Sequence, residues 1–145
     1  MKKVKLLNGP NLNMLGIRNP AVYGTTTLKE IEEELISYAF NKGVVLDCFQ
    51  SNCEGKLIDE IHSCHKRYDG IILNAGAYTH YSYAIRDAIE AVEIPTVEVH
   101  LSDIHKREPF RHVSVIEDVC VKQICGRGKQ GYFDALDDLL NEYIK

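Results

Sequence analysis

The sequence predicts an α/β fold, a doubly wound, five-stranded parallel sheet with helices on both faces. Short apolar runs of strand length alternate with stretches of helical period along the whole chain. Two of the helical stretches open on a Ser/Thr-x-x-Glu capping signal. The length sets the bound: 145 residues, 45% of them hydrophobic, suffice for one well-buried domain, residues 1–145, and are too few for two ordinary ones.

Lys3–Leu7 reads as the first strand. The segment that follows, Asn8 to Tyr23, is too long for an ordinary βα connection of roughly 2–6 residues, and long connections usually carry function. Gly9, Pro10, Gly16 and Pro20 punctuate it, and Arg18 and Tyr23 are its one cation and one phenol. A helix starts at Thr27, with Glu30 three residues on. It carries Leu28, Ile31, Leu35, Ile36 and Ala39 on one side and stops at Gly43. Val44–Phe49 is the second strand; Ser51 and Glu54 repeat the start signal before Leu57, Ile58, Ile61 and Cys64. Gly70–Leu73, Thr96–Val99 and Val119–Ile124 complete the strands. Ile85, Ala88, Ile89 and Val92 mark the third helix, and Tyr132, Ala135, Leu136, Leu139, Leu140 and Tyr143 the last. There are no repeats, low-complexity tracts or linkers.

For a chain of this length the expected strand order is the flavodoxin-like 2-1-3-4-5. Ligands in such sheets bind beyond the carboxyl ends of the strands, at the switch point between strands 1 and 3. That rule selects three loops: Asn8-Gly9-Pro10-Asn11, Asn74 to His80, and His100-Leu101-Ser102. Amides, histidines and a hydroxyl gather there, which suits a small hydroxylated molecule.

Lys and Arg number 17 against 21 Asp and Glu, a net charge of −4, which argues against a nucleic-acid partner. The first apolar run is shorter than the ~7–15 residues of a signal sequence, and no segment nears the ~20 of a membrane span. The expectation is a cytoplasmic protein without a membrane partner. Five cysteines show no CxxC pair. Cys53 and Cys64, with His62 and His65 nearby, lack the tight paired spacing of a zinc site. Reduced thiols packed as small hydrophobes are the expectation.

His100 ends a strand two residues after Glu98, so the two side chains share a face. Glu98 would orient the imidazole and support its charged form, making His100 a general acid; the alternative is a capping or surface histidine. Tyr23 needs help to act as a base, because a phenol titrates near ~10. Lowering that by ~2–3 units takes roughly 3–4 kcal/mol in favour of the phenolate. Arg18 on the same loop, with Arg107 or Arg111, could supply it; otherwise Tyr23 is a packing aromatic. Ser102 and the free N–H groups after the strand suit a carboxylate, or cap the next segment. Arg111 either binds a hydroxyl or pairs on the surface. Gly126 to Gly131 matches GxGxxG but follows the last strand instead of the first, so it reads as a tight strand-to-helix turn.

These residues together resemble type II 3-dehydroquinate dehydratases. The resemblance runs through Asn8-Gly9-Pro10-Asn11-Leu12, Arg18 to Tyr23-Gly24, Gln50-Ser51-Asn52 with Glu54-Gly55, Asn74-Ala75-Gly76 and Thr79-His80. It continues in Arg86-Asp87-Ala88, Glu98-Val99-His100-Leu101-Ser102, Arg107-Glu108-Pro109-Phe110-Arg111 and Gly131-Tyr132, and so covers essentially the whole chain.

The resemblance implies a flavodoxin-like subunit assembled as a homododecamer of trimers. The implied reaction is reversible anti elimination of water from 3-dehydroquinate, giving 3-dehydroshikimate through an enolate, with neither metal nor cofactor. It further implies that Tyr23 takes the C2 proton, that Arg18 stabilises tyrosinate and enolate, and that His100, oriented by Glu98, protonates the leaving C1 hydroxyl. Asn11 would position a water against the enolate oxygen. Asn74, Leu101 and Ser102 would hold the carboxylate end, His80 and Arg111 the ring hydroxyls, and Asp87 would reach into a neighbouring subunit's site.

Departures from the family's pattern are few. His112-Val113-Ser114 stands where two consecutive histidines and a serine are common, and Cys120 and Cys125 flank the last strand. Two other classes compete. A flavin-binding electron carrier could use Thr25-Thr26-Thr27 as a phosphate loop, although the triplet lies 18 residues past Leu7. A receiver-type signalling module needs acidic residues after the first strand, and Leu6-Leu7-Asn8-Gly9 supplies none.

Overall fold

The computed structural model describes residues 1–144, leaving Lys145 and the side chain of Tyr23 outside the described residues. Five strands, β1 (Lys2–Asn8), β2 (Val44–Gln50), β3 (Gly70–Asn74), β4 (Thr96–His100) and β5 (Lys122–Cys125), form one parallel sheet in the order β2-β1-β3-β4-β5. The helices are α1 (Pro20–Tyr23), α2 (Leu28–Asn41), α3 (Glu54–Ser63), α4 (Tyr83–Val92) and α5 (Gln130–Asp138), the last continued by a π turn over Leu139–Tyr143.

Strand alternation splits the core into two layers. Val4, Leu6, Ile72, Val97, Val99 and Ile124 face α2 and α5; Leu7, Ile71 and Leu73 face α3 and α4. Both layers are closed by helices, which is why β3 and β4 are buried along their whole length. Among the described residues no helix is long and apolar enough to cross a membrane.

Local signals set most boundaries. Thr27 Oγ1 accepts the Glu30 N–H at 3.2 Å to start α2, and Gly43, at φ 76°, ends it. Two expectations need correction. Ser51 does not cap α3: its hydroxyl closes a short turn by accepting the Cys53 N–H at 3.0 Å, and Glu54 instead accepts the Ser82 hydroxyl at 2.5 Å. β5 begins at Lys122, not Val119, because Val119 and Cys120 donate their N–H groups to Ile116 and Glu117 in a 3-10 turn. The strands also run to their last polar residue. Asn8 pairs in register with Gln50 and Asn74, and His100 with Cys125, since a backbone ladder does not depend on apolar side chains.

Cys53 and Cys64 stand at opposite ends of α3, one exposed and one fully buried. At about 1.5 Å of rise per residue they are roughly 16 Å apart, too far to share a metal ion. Among the described residues no group of three or more His, Cys, Asp or Glu side chains could hold one.

Candidate active site

A cavity of about 160 Å³ opens at the carboxyl ends of β1, β3 and β4. Eight of the expected site residues line it: Asn11, Arg18, Asn74, His80, His100, Leu101, Ser102 and Arg111. Leu12, Leu15 and Ile104, all buried, supply the apolar part of its wall.

The first loop is held down from below. Gly9 donates its N–H to the Asn74 carbonyl at 2.7 Å, and a Cβ at Gly9 would sit 2.6 Å from the Ala75 carbonyl oxygen. Only glycine permits that approach, which brings the β1 and β3 loops together. Asn11, in the left-handed region at φ 69°, donates its N–H to Asn52 Oδ1 at 3.0 Å. Gln50 Nε2 ties the same segment down through the Gly9 carbonyl and Asn52 Oδ1. Arg18 follows on a turn closed by its own N–H to the Met14 carbonyl at 2.8 Å.

On β4, Glu98 is fully buried and His100 is 5% exposed, and His100 Nε2 lies 2.5 Å from Glu98 Oε2. Gln123, the register partner of Glu98 on β5, donates Nε2 to that oxygen at 3.1 Å. The pairing assigns a proton to His100 Nε2 and leaves Nδ1 for chemistry in the cavity. Glu98 does not line the cavity; it acts on it through His100. The other Glu98 oxygen has no hydrogen-bond partner among the described residues.

His80 faces His100 across the cavity, with ring centroids 6.4 Å apart. Its Nδ1 donates to the Val113 carbonyl at 2.8 Å, so its Nε2 is the acceptor in the neutral ring. Burial pushes the His80 imidazole below its ordinary value of 6.5, against the pull of Val113, with His100 and Arg111 adding to the push.

Arg107 also lines the cavity, a position the sequence suggested only as one of two possible partners for a tyrosinate. Its guanidinium donates to Ser102 Oγ at 3.3 Å, leaving the Ser102 hydroxyl proton for a ligand acceptor. Arg111 pairs with Glu108 at 3.1 Å and lies over the Phe110 ring. The Arg107 and Arg111 side chains are 18% and 16% exposed, so with Arg18 they give the cavity a cationic rim that suits an anionic ligand.

The GxGxxG segment supports this wall from behind. Gly126 and Gly128 adopt positive φ and donate their N–H groups to the carbonyls of His100, Ser102 and Leu101. Gly131 packs where a Cβ would touch Val99 and Ile124. It is the tight strand-to-helix turn its position suggested. Asp87, exposed on α4, does not line the cavity, and the Tyr23 side chain lies outside the described residues. The Thr25–Thr27 triplet is the lead-in to α2, with Thr27 as its cap.

The family described as Dehydroquinase class II matches residues 2–140. A 3-dehydroquinate dehydratase of Bacillus cytotoxicus is 58% identical over 142 residues, covering 98% of this chain and 97% of that protein. One from Anoxybacillus flavithermus is 55% identical over 141 residues, covering 97% and 95%. Among solved structures, the type II dehydroquinase of Butyrivibrio crossotus superposes with a TM-score of 0.95 at 46% identity, covering 97% of this chain and 98% of that one.

Proposed function

The chain belongs to the class II dehydroquinase family, and from that premise we propose that its cavity eliminates water from 3-dehydroquinate to give 3-dehydroshikimate, a hydro-lyase step of the shikimate pathway. The observation that carries the proposal is the meeting of His100, backed by buried Glu98, with Asn74, His80, Arg18 and Arg111 around one small cavity.

The substrate is a cyclic ketone bearing hydroxyls and a carboxylate. Asn74, the Leu101 and Ser102 backbone and the Ser102 hydroxyl receive its carboxylate; His80 Nε2 and Arg111 receive ring hydroxyls. Tyr23, as tyrosinate, removes the C2 proton beside the ketone. Arg18 stabilises both the tyrosinate and the negative charge that moves to the enolate oxygen, where electrostatic stabilisation has most effect on rate. Asn11 positions a water against that oxygen. His100, protonated on both nitrogens and held in that charged form by Glu98, gives its Nδ1 proton to the C1 hydroxyl as the C–O bond breaks and is left as a neutral imidazole. Proton loss at C2 and water loss at C1 complete the elimination, so the chemistry calls for no cofactor.

Asp87, exposed on α4, belongs in this scheme to a neighbouring subunit's site within a dodecamer of trimers. The working location is the cytoplasm. Nothing favours the alternative of a flavin carrier on this fold: amides, imidazoles and guanidiniums line the switch-point cavity.

Ultraviolet absorbance after mixing the protein with 3-dehydroquinate tests the proposal, since the product is a conjugated enone and the substrate is not. Wild type should produce rising absorbance. Tyr23→Phe should lose about 10²–10⁴-fold in kcat, the usual worth of a positioned base. Silence from folded, assembled wild type would refute the substrate; a fully active variant would refute the base.

A further inference from the structure

Tyr132, in the first turn of α5, is fully buried, and no step above uses it. Its hydroxyl reaches the carboxyl ends of β1 and β3, lying 2.6 Å from Asn8 Oδ1 and 3.0 Å from Asn74 Nδ2. One backbone donor fixes the direction of every bond in this chain. The Gly76 N–H donates to Asn74 Oδ1 at 3.1 Å, so the opposite end of that amide is Nδ2. An amide NH₂ only donates, so the Tyr132 oxygen accepts from it. The Tyr132 proton is then directed to Asn8, whose facing atom is the acceptor Oδ1.

Asn8 and Asn74 are register partners on adjacent parallel strands, which puts both amides under the same tyrosine. The network has a conspicuous imbalance: Asn8 Nδ2 is buried with no partner among the described residues. Core packing alone would be served better by an apolar side chain at this position. What Asn8 supplies is an acceptor that sets the direction of the tyrosine proton. Burial pushes the Tyr132 phenol above its ordinary range, so the hydroxyl stays neutral through the pH range of catalysis. One Asn74 N–H is then left for the cavity that Asn74 lines.

We propose that Tyr132, oriented by Asn8, is a positioning residue of the active site: it holds the Asn74 amide so that an N–H, not a carbonyl oxygen, meets the anionic end of the substrate. The proposal rests on the dehydratase function above. A carboxylate accepts only, so a rotated Asn74 amide would set oxygen against oxygen.

Two variants test it. Tyr132→Phe removes the hydroxyl; Tyr132→Phe with Asn8→Leu removes both buried polar partners and spares the fold an unpaired acceptor. In both, KM for 3-dehydroquinate should rise about tenfold with kcat within about threefold, because carboxylate binding is equal in ground and transition states. In an Asn74→Ala background the Tyr132 change should add nothing to KM. Independently of turnover, hydrogen exchange at the Asn74 side-chain amide, followed by ¹H–¹⁵N NMR, should be slow in wild type and faster in both variants. A folded double variant with wild-type KM, unchanged Asn74 exchange, or a KM effect that persists without Asn74 would each overturn the proposal. If wild type does not turn over 3-dehydroquinate, the dehydratase function fails, and the exchange measurement still decides the role of Tyr132.

Discussion

Glu98 and His100 share one face of β4, and the His100 Nε2 stands 2.5 Å from an oxygen of a carboxyl group that solvent does not reach. Replacing Glu98 with glutamine keeps an acceptor for that nitrogen and removes the charge facing the imidazolium formed in the cycle. We expect Glu98→Gln to lose about 10–100-fold in kcat with KM changed by no more than about threefold, since the interaction acts on the acid and not on substrate binding. Steady-state kinetics on the folded variant check this. An unchanged kcat would mean that the pairing is structural only.

His80 makes folding stability depend on pH. Burial lowers its imidazole below the ordinary value of 6.5, so near neutrality the unfolded chain binds this proton more readily than the folded one. Its contribution is fully present above about 6.5 and is lost as pH falls through the lower folded value. His80→Asn can still donate to the Val113 carbonyl but does not titrate. Urea midpoints between pH ~7.5 and ~5.5 should therefore fall more steeply in wild type than in His80→Asn. Parallel slopes would show that burial does not hold this imidazole neutral.

The layered sheet was legible because periodicity is a local signal, and the order 2-1-3-4-5 was the one expected for an alternating chain of this length. The errors arose where hydropathy and backbone geometry part. Val119 looks like strand but closes a turn on Ile116, whereas Asn8 and Asn74 look like loop but continue the ladder. The cavity wall was legible because the fold rule selects the loops that carry it. Its supports were not. Tyr132 meets Asn8 across 124 residues and Gln123 meets Glu98 across 25, and no local pattern records such pairs. The sequence suggests Arg107 only as a possible tyrosinate partner; its contact with Ser102 was not legible there.

The thiols should divide sharply in reactivity. Burial, with Glu32 and Asp47 nearby, pushes Cys48 up to about 12. Burial also pushes Cys64 and Cys125 each up to about 11, and Cys120 higher still. A thiolate is the reactive form, so these four should resist reagents at mildly alkaline pH, while exposed Cys53 should not. An aromatic disulfide reagent should titrate one thiol rapidly in the native protein and all five after denaturation, and Cys53→Ser should abolish the fast phase. A fast phase that survives that substitution would place a reactive thiol elsewhere and show that the interior opens.

Two glycines separate space from backbone conformation as reasons for the residue. Gly43 has φ 76° with open space around its Cβ direction, so Gly43→Ala should lose only the left-handed preference, about 1 kcal/mol. Gly9 has ordinary φ but no space: a Cβ would lie 2.6 Å from the Ala75 oxygen and 2.7 Å from its carbon. Both are backbone atoms that no rotamer change can move, and they follow directly on the Asn74 carbonyl that accepts the Gly9 N–H. Gly9→Ala must therefore part the two loops that form one wall of the cavity. We expect it to destabilise by about 3 kcal/mol, at the upper end for overpacking, and to raise KM as well. Gly43→Ala should leave catalysis unchanged. Urea unfolding and kinetics on both variants make the comparison. Equal losses of stability with full activity in both would show that the Gly9–Ala75 approach does not hold the site together.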